Sequence, residues 1–271
     1  MRLLRMEMRR ALHRRAVRVL IAISLLLCAM AGVVAFVGSQ GKSVSQMRLD
    51  QEGHPAIMTD WWNVDTNDGF LIAAVFFLLL GSLFGGATVA GGEWRHGTIT
   101  TLLTWEPRRL RLHAARSASA AVLAFIISFG LQILFLAAFL PAVFAHGTTE
   151  GVDESFWVGL AVAMTRMSAL TAAAAVLAIA LATLARNTAF AVIAVFAWMA
   201  VVESLIRGLR PSLAPWLWAE NLGTVMTWDQ LSDVDFTRGP LVALVTLMTY
   251  FGVIVVGAAL AFQRRDIAAV S

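Results

Sequence analysis

Any chemistry in this chain has to come from few residues. The five histidines are His13, His54, His96, His113 and His146. No two of them stand at the close spacing of metal ligands, and no His-Glu-x-x-His run occurs. His96 follows Glu93 by three residues, a spacing that some metal sites use, but a solvated surface pair is the simpler reading. The Gly-x-Ser-x-Gly turn of a serine hydrolase is absent. Gly41-Lys42-Ser43 looks like the end of a phosphate-binding loop, yet that loop needs a glycine at position 36, where Phe36 stands. The residues therefore predict no catalytic group, no metal and no ATP site in this chain. Two charges, Arg166 and Glu203, interrupt long apolar runs. An ion-coupled carrier would place more titratable groups at such depth. Three arrangements are open for the two. Arg166 and Glu203 could pair across neighbouring helices, Glu203 could pair with Arg207 four residues on along its own helix, or the charges could line a path for cargo.

The elements that must position these residues are membrane helices. The chain has 271 residues, 59% hydrophobic and 14% charged, with a mean hydropathy of +0.76. Soluble domains are about 45–50% apolar and about 25% charged. Several runs of 18 or more uncharged residues predict an all-α polytopic membrane protein, one transmembrane domain over residues 1–271. The polar stretches are all about 35 residues or shorter, below the size of a soluble domain. Six spans are expected: about Val19 to Gly38, Phe70 to Gly92, within Ser117 to Ala145, within Trp157 to Ala185, Thr188 to Ile206, and Leu241 to Phe262. The first is too long for the apolar core of a signal peptide and is read as a retained span. Gly81 and Gly85 have the Gly-x-x-x-Gly spacing of closely approaching helices. Cys28 is the only cysteine, which excludes an intrachain disulfide.

Residues 1–18 carry seven arginines, with Leu4, Met8, Ala11 and Leu12 at helical spacing between them. This predicts an amphipathic helix on the inner membrane surface. Ser39 to Asp68 is acidic and holds Trp61-Trp62, a candidate membrane-surface anchor. Residues 207–239 contain Pro211, Pro215, Trp216, Trp218 and Trp228, and predict a re-entrant or interfacial segment on the outer side. With six spans the termini share one side. That side holds fifteen basic residues and the other five, so the termini are expected in the cytoplasm. The formal charge of +4 follows from this topology and calls for no nucleic acid.

Between spans 2 and 3 lies a compact polar insert, residues 93–111. It begins at Glu93-Trp94-Arg95, continues through Gly97, Thr98, Leu102 and Leu103, and ends in Pro107-Arg108-Arg109. With so little other mass on that side, it is the expected docking surface for a soluble partner.

The basic amphipathic start, the order of spans and the run Glu93-x-x-x-Gly97-Thr98, Leu102-Leu103, Pro107-Arg108-Arg109 resemble the ABC-2 type permeases. These are membrane subunits of bacterial ATP-binding-cassette exporters. The likeness covers nearly the whole chain as topology and is sharpest from Gly92 to Arg109. It implies that the insert is a coupling helix docked in a groove of a separate ATPase subunit, through Glu93, Arg95, Gly97, Thr98, Leu102, Leu103, Pro107, Arg108 and Arg109. It also implies ATP and magnesium on that partner, a second permease copy or paralogue, and the cytoplasmic membrane of a bacterium. A hydrophobic or amphipathic cargo (drug, lipid or lipopeptide) would move outward. The alternative is a non-enzymatic accessory or immunity membrane protein, which would need no ATPase.

Overall fold

The computed structural model describes residues 2–50, 53–63, 69–95, 97–229 and 238–264, with the side chains of Arg2 and Arg95 excepted. Glu52, Asp65, Asp68, His96, Asp233, Asp235, Arg265 and Asp266 lie outside the described residues. The described residues are mostly helical, with turns and loops between the helices and an isolated bridge from Ile57 to Thr148. In hydrocarbon every backbone N–H and C=O must be paired within the chain, and uncharged runs of this length satisfy that as helices.

Six segments are long and apolar enough to cross a membrane. The chain runs α1 (Arg2–His13), α2 (Arg15–Ser39), α3 (Val44–Met47), α4 (Phe70–Arg95), α5 (Thr98–Trp105), α6 (Arg109–Ala137) and α7 (Leu140–His146). It continues as α8 (Glu154–Ala185), α9 (Thr188–Ala197), α10 (Glu203–Leu209), α11 (Trp218–Thr227) and α12 (Pro240–Arg264). The spanning segments are α2, α4, α6 continued by α7, α8, α9 continued by α10, and α12. The third span begins at Arg109, eight residues before the expected Ser117. It bends at Ala138-Phe139, and Pro141 sits in the first turn of α7, where its missing N–H costs nothing. A π-helical turn, Trp198–Val202, interrupts the fifth span and leads into Glu203.

α8 is the centre of the bundle and packs mainly on α4, α6 and α12. Of its most apolar window 67% is buried, against 11% for α2 at the edge. Asp153 starts α8, its carboxylate accepting from the Phe156 N–H at 2.9 Å. Arg186, with φ of 55°, ends it. Asn187 then caps α9, its Oδ1 accepting from the Ala189 N–H at 2.8 Å, so the two-residue turn expected at Arg186-Asn187 is present. Mid-bundle, α6 and α8 are joined by hydrogen bonds. Gln132 Nε2 donates to Ser168 Oγ at 2.8 Å and Ser128 Oγ donates to Thr171 Oγ1 at 3.2 Å.

The close approach of α4 to its neighbours uses other glycines than the expected pair. A Cβ at Gly86 would collide with the backbone of Ala175, and one at Gly91 with Thr188. Gly81 has open space around it and Gly85 meets only Leu20, at 3.9 Å. The register is set by how α4 lies on α8, which the spacing alone does not reveal.

One end of the bundle carries α1 and α5 and is called the basic end. The far end is covered by α3, residues 53–62, α7 and α11. There Trp61 and Trp62 are buried, which corrects their reading as surface anchors. Trp61 Nε1 donates to the Pro55 carbonyl at 2.8 Å and its ring lies 6.0 Å from Phe139. These rings roof the helices.

Candidate functional site

The insert is built on the end of α4. Glu93 was expected at the polar surface; it is only 1% exposed. Its Oε1 accepts from Arg10 Nη2 and Arg14 Nη2, each at 3.2 Å. Its Oε2 lies 2.5 Å from Arg116 Nη2. That contact is an ion pair without hydrogen-bond alignment, since both atoms lack a hydrogen-bond partner. Arg116, in the second turn of α6, is likewise 1% exposed. Arg10 also pairs with buried Glu7, three residues back, at 3.0 Å. Arg14 donates further to the carbonyls of Thr88 at 2.6 Å and Val89 at 3.0 Å. Burial pulls the Arg14 guanidinium below its usual pKa, and Glu93 opposes that. A Cβ at Gly92 would stand 2.9 Å from Arg14 Nη1, so the glycine leaves room for this reach.

The cluster explains α1. The helix is amphipathic as expected, but the face with Glu7 and Ala11 is buried against the bundle, chiefly against α6. Three guanidiniums and two carboxylates meet where α1, α4 and α6 converge. Nearby, His113 of α6 is buried, and both its ring nitrogens lack partners. The same end gathers the remaining spans. Arg186 stacks over Trp94 at 4.9 Å, Trp94 meets Phe262 of α12 at 6.3 Å, and Arg109 Nη1 donates to the Phe262 and Gln263 carbonyls at 3.4 Å. A cation at those carbonyls suits a helix C-terminus.

Beyond Glu93 the chain reverses at Gly97, whose φ of 65° favours glycine. The eight-residue α5 follows, about 12 Å long. Ile99 is its buried residue, while Leu102 and Leu103 are half-buried. Thr98, Thr100, Thr101 and Thr104 are exposed, and Trp105 is 85% exposed. The apolar residue that α5 offers outward is thus Trp105, which the sequence reading passed over in favour of the leucine pair. The Glu106 N–H donates to the Leu102 carbonyl at 2.9 Å. Glu106 then pairs with Arg111 at 3.3 Å. Pro107 and Arg108 are exposed beside Trp105. The structure therefore divides the predicted coupling residues. Glu93 and Arg109 hold the bundle, Gly97 makes the turn, Leu102 and Leu103 face partly inward, and Thr98, Pro107 and Arg108 remain on the surface. The Arg95 side chain lies outside the described residues.

At the far end, neither expected pairing of Arg166 and Glu203 is formed. Glu203 is buried and accepts from Trp198 Nε1 at 2.8 Å, from the Trp218 N–H at 2.6 Å and from the Ala219 N–H at 2.9 Å. It thus caps the start of α11, whose free N–H groups and dipole favour a carboxylate. Arg207 pairs instead with Glu220 of α11. Arg166 Nη2 donates to the Met226 carbonyl at 2.9 Å. The expected pairings left out α11, whose residues bond Glu203, Arg207 and Arg166. It is α11 that takes both charges.

Between α2, α4 and α6 an apolar crevice is lined by Leu20, Gly81, Gly85, Ala124 and Ile127, with Ser24 and Ser82 as polar points. Among the described residues no group of three or more His, Cys, Asp or Glu could hold a metal ion. Comparison with protein-family models finds no match, and comparison with curated proteins finds none either.

Proposed function

We propose that this chain is the membrane-spanning subunit of an exporter of the ABC-2 kind, driven by a separate ATP-binding-cassette ATPase that docks on α5. The observation that carries this reading is the form of the insert. It is a short helix with a threonine-rich face and an 85% exposed Trp105, standing on a base tied by a buried charge cluster. Tryptophan is enriched among the few residues that carry most of the binding energy at protein interfaces. Thr98, Pro107 and Arg108 complete the docking surface, and ATP and magnesium belong to the partner.

In this reading the basic end faces the cytoplasm, in accord with the excess of arginine there. A second copy or a paralogue completes the translocation path. The crevice between α2, α4 and α6 supports a hydrophobic or amphipathic cargo, because its walls are apolar with few hydroxyls. The membrane is the cytoplasmic membrane of a bacterium.

Co-purification tests the reading. The chain should carry an ATPase subunit with it from native membranes. Trp105→Asp should lose that subunit while membrane insertion and thermal stability stay unchanged. Retention of the ATPase by W105D, or its absence from the native chain, overturns the proposal.

A further inference from the structure

Arg166 opens onto a recess that the exporter reading does not use. The recess lies between α8, α11 and α12, about 590 Å³ in volume. Val162, Ala169 and Leu170 of α8 line it with Leu244 and Met248 of α12, and Trp228 closes one side. Val162, Ala169 and Met248 are exposed, so it opens sideways along the bundle. Its wall is apolar apart from Thr165 and the guanidinium.

Among the described residues the guanidinium is only partly used. A guanidinium has five N–H groups, and one nitrogen, Nη2, is engaged by the Met226 carbonyl. Nε is buried without a partner. The cation lies 5.0 Å from the Trp228 ring and 5.7 Å from the Trp62 ring, contacts that stabilise the charge but accept no N–H. Among the described residues it has no carboxylate partner. With the near membrane boundary set at Arg186, its depth is that of a lipid headgroup. Arg166 precedes Arg186, at the basic end, by twenty residues. That is about 30 Å of helix, the thickness of the hydrocarbon core. A guanidinium with N–H groups to spare at that depth, above an apolar channel, matches a phosphate with a chain attached.

We infer that this recess holds one anionic phospholipid of the far leaflet, its phosphate on Arg166 and an acyl chain along Leu170, Leu244 and Met248. The site is independent of the exporter reading, since it needs no partner and no transport.

Native mass spectrometry of the full chain in neutral maltoside detergent tests it, with phosphatidylglycerol against phosphatidylcholine of the same acyl chains. One phosphatidylglycerol should be held about fivefold more tightly than phosphatidylcholine, the preference expected of one arginine. Arg166→Gln should remove that preference. Ala169→Trp, which fills the channel and leaves the guanidinium, should displace the same lipid. Arg9→Gln with Arg15→Gln, at the other end, should lower total lipid adducts and leave this one. Inference and exporter reading fail separately, because W105D does not touch the recess. Equal retention of both lipids overturns the inference, as does an unchanged preference in R166Q together with A169W. Inorganic phosphate competing as well as the lipid would show an anion site without a lipid. A lipid-free dimer whose contact A169W breaks would show that a second copy covers the recess. Either result also overturns it.

Discussion

Replacing Glu93 by Gln isolates the role of the buried charge cluster. The substitution keeps the shape and removes the charge facing three guanidiniums, at 3.2, 3.2 and 2.5 Å. The three do not suffer equally. Arg10 has a 33% exposed side chain and keeps Glu7, so it can turn toward water. The Arg14 side chain is 22% exposed and keeps the Thr88 and Val89 carbonyls. The Arg116 side chain is 1% exposed and keeps nothing comparable among the described residues. The cost therefore falls on Arg116, and a buried ion left without its partner costs about 3–5 kcal/mol. Glu93→Gln with Arg116→Met removes both charges and should recover to within about 1 kcal/mol of the native chain, because apolar replacement of a buried pair is often neutral. Arg116→Met alone should be mild, since Arg10 and Arg14 still compensate Glu93. Reversible unfolding in mixed micelles, followed by circular dichroism, gives the energies. The labelling rate of a cysteine at half-buried Met8 reports whether α1 lifts away. A loss below about 1 kcal/mol for E93Q, or a double variant no better than E93Q, would refute the reasoning.

Other outcomes follow from single contacts. Gly86→Ala should cost about 1–3 kcal/mol by driving α4 from Ala175, whereas Gly81→Ala, with open space around it, should be neutral or gain up to about 1 kcal/mol of helix propensity. With Cys28 replaced, Ser155→Cys should react with an impermeant maleimide from outside the cell and Thr101→Cys should not; the reverse pattern would invert the proposed orientation. Glu203→Gln should cost about 1.5–3 kcal/mol through the α11 cap, and Arg207→Gln under about 1 kcal/mol. Combined with Arg166→Gln, Glu203→Gln should be close to additive, because the two bond opposite ends of α11 and share no bonded residue. His54 is buried, its Nδ1 accepts from the Ala56 N–H at 3.2 Å, and burial holds its pKa below the usual histidine value. Its contribution is present above the unfolded-state pKa and lost as pH falls through the lower folded value. Hydrogen exchange in residues 53–62 should accelerate in that acid window, and His54→Gln should flatten the dependence.

How much was legible follows from the physics of each residue. The six apolar helices and the Arg186-Asn187 turn could be read because hydropathy and turn chemistry are local, whereas the helix between spans 2 and 3 was expected only through the family resemblance. The partners of charges were not local. Glu93 reads as a boundary residue until α1 folds back upon it, and Arg116 reads as one more topogenic arginine. Glu7, the lone acid among the seven arginines of residues 1–18, was the available signal that the first helix has a buried face. Arg166 and Glu203 could be matched to each other as the two charges in apolar runs, but that says nothing of what lies nearer to each. The backbone termini of α11 were closer and compete well with side chains for a buried charge. Trp61 and Trp62 were assigned to the interface by composition, which cannot distinguish a ring facing lipid from one roofing the bundle. Gln132, a lone amide in an apolar span, was also readable and was missed.

The two ends bury charge by different means, and the difference bears on the proposed mechanism. Glu203 is satisfied by the first N–H groups of α11 and by Trp198, a few residues before it, so its energy depends on local geometry at the far end. Glu93 is satisfied by side chains from α1, the α1–α2 junction and α6, so its energy depends on how separate elements lie together. The helix α5 connects the two elements that carry Glu93 and Arg116. A force applied to Trp105 by a partner thus reaches α4 and α6 at residues joined to each other. Pulling them apart would leave buried charges unpaired at a cost of several kcal/mol, while moving them together with α1 breaks none of these pairs. A stroke of the ATPase would therefore shift α1, α4 and α6 as one body, and the crevice that α4 and α6 form with α2 would change width along its α2 edge. A disulfide engineered between α4 and α6 near Gly81 and Ala124 should leave ATP-driven export intact, whereas one joining α2 to α4 near Leu20 and Gly85 should stop it. Loss of export from the first and not the second would mean that the cluster separates during the cycle.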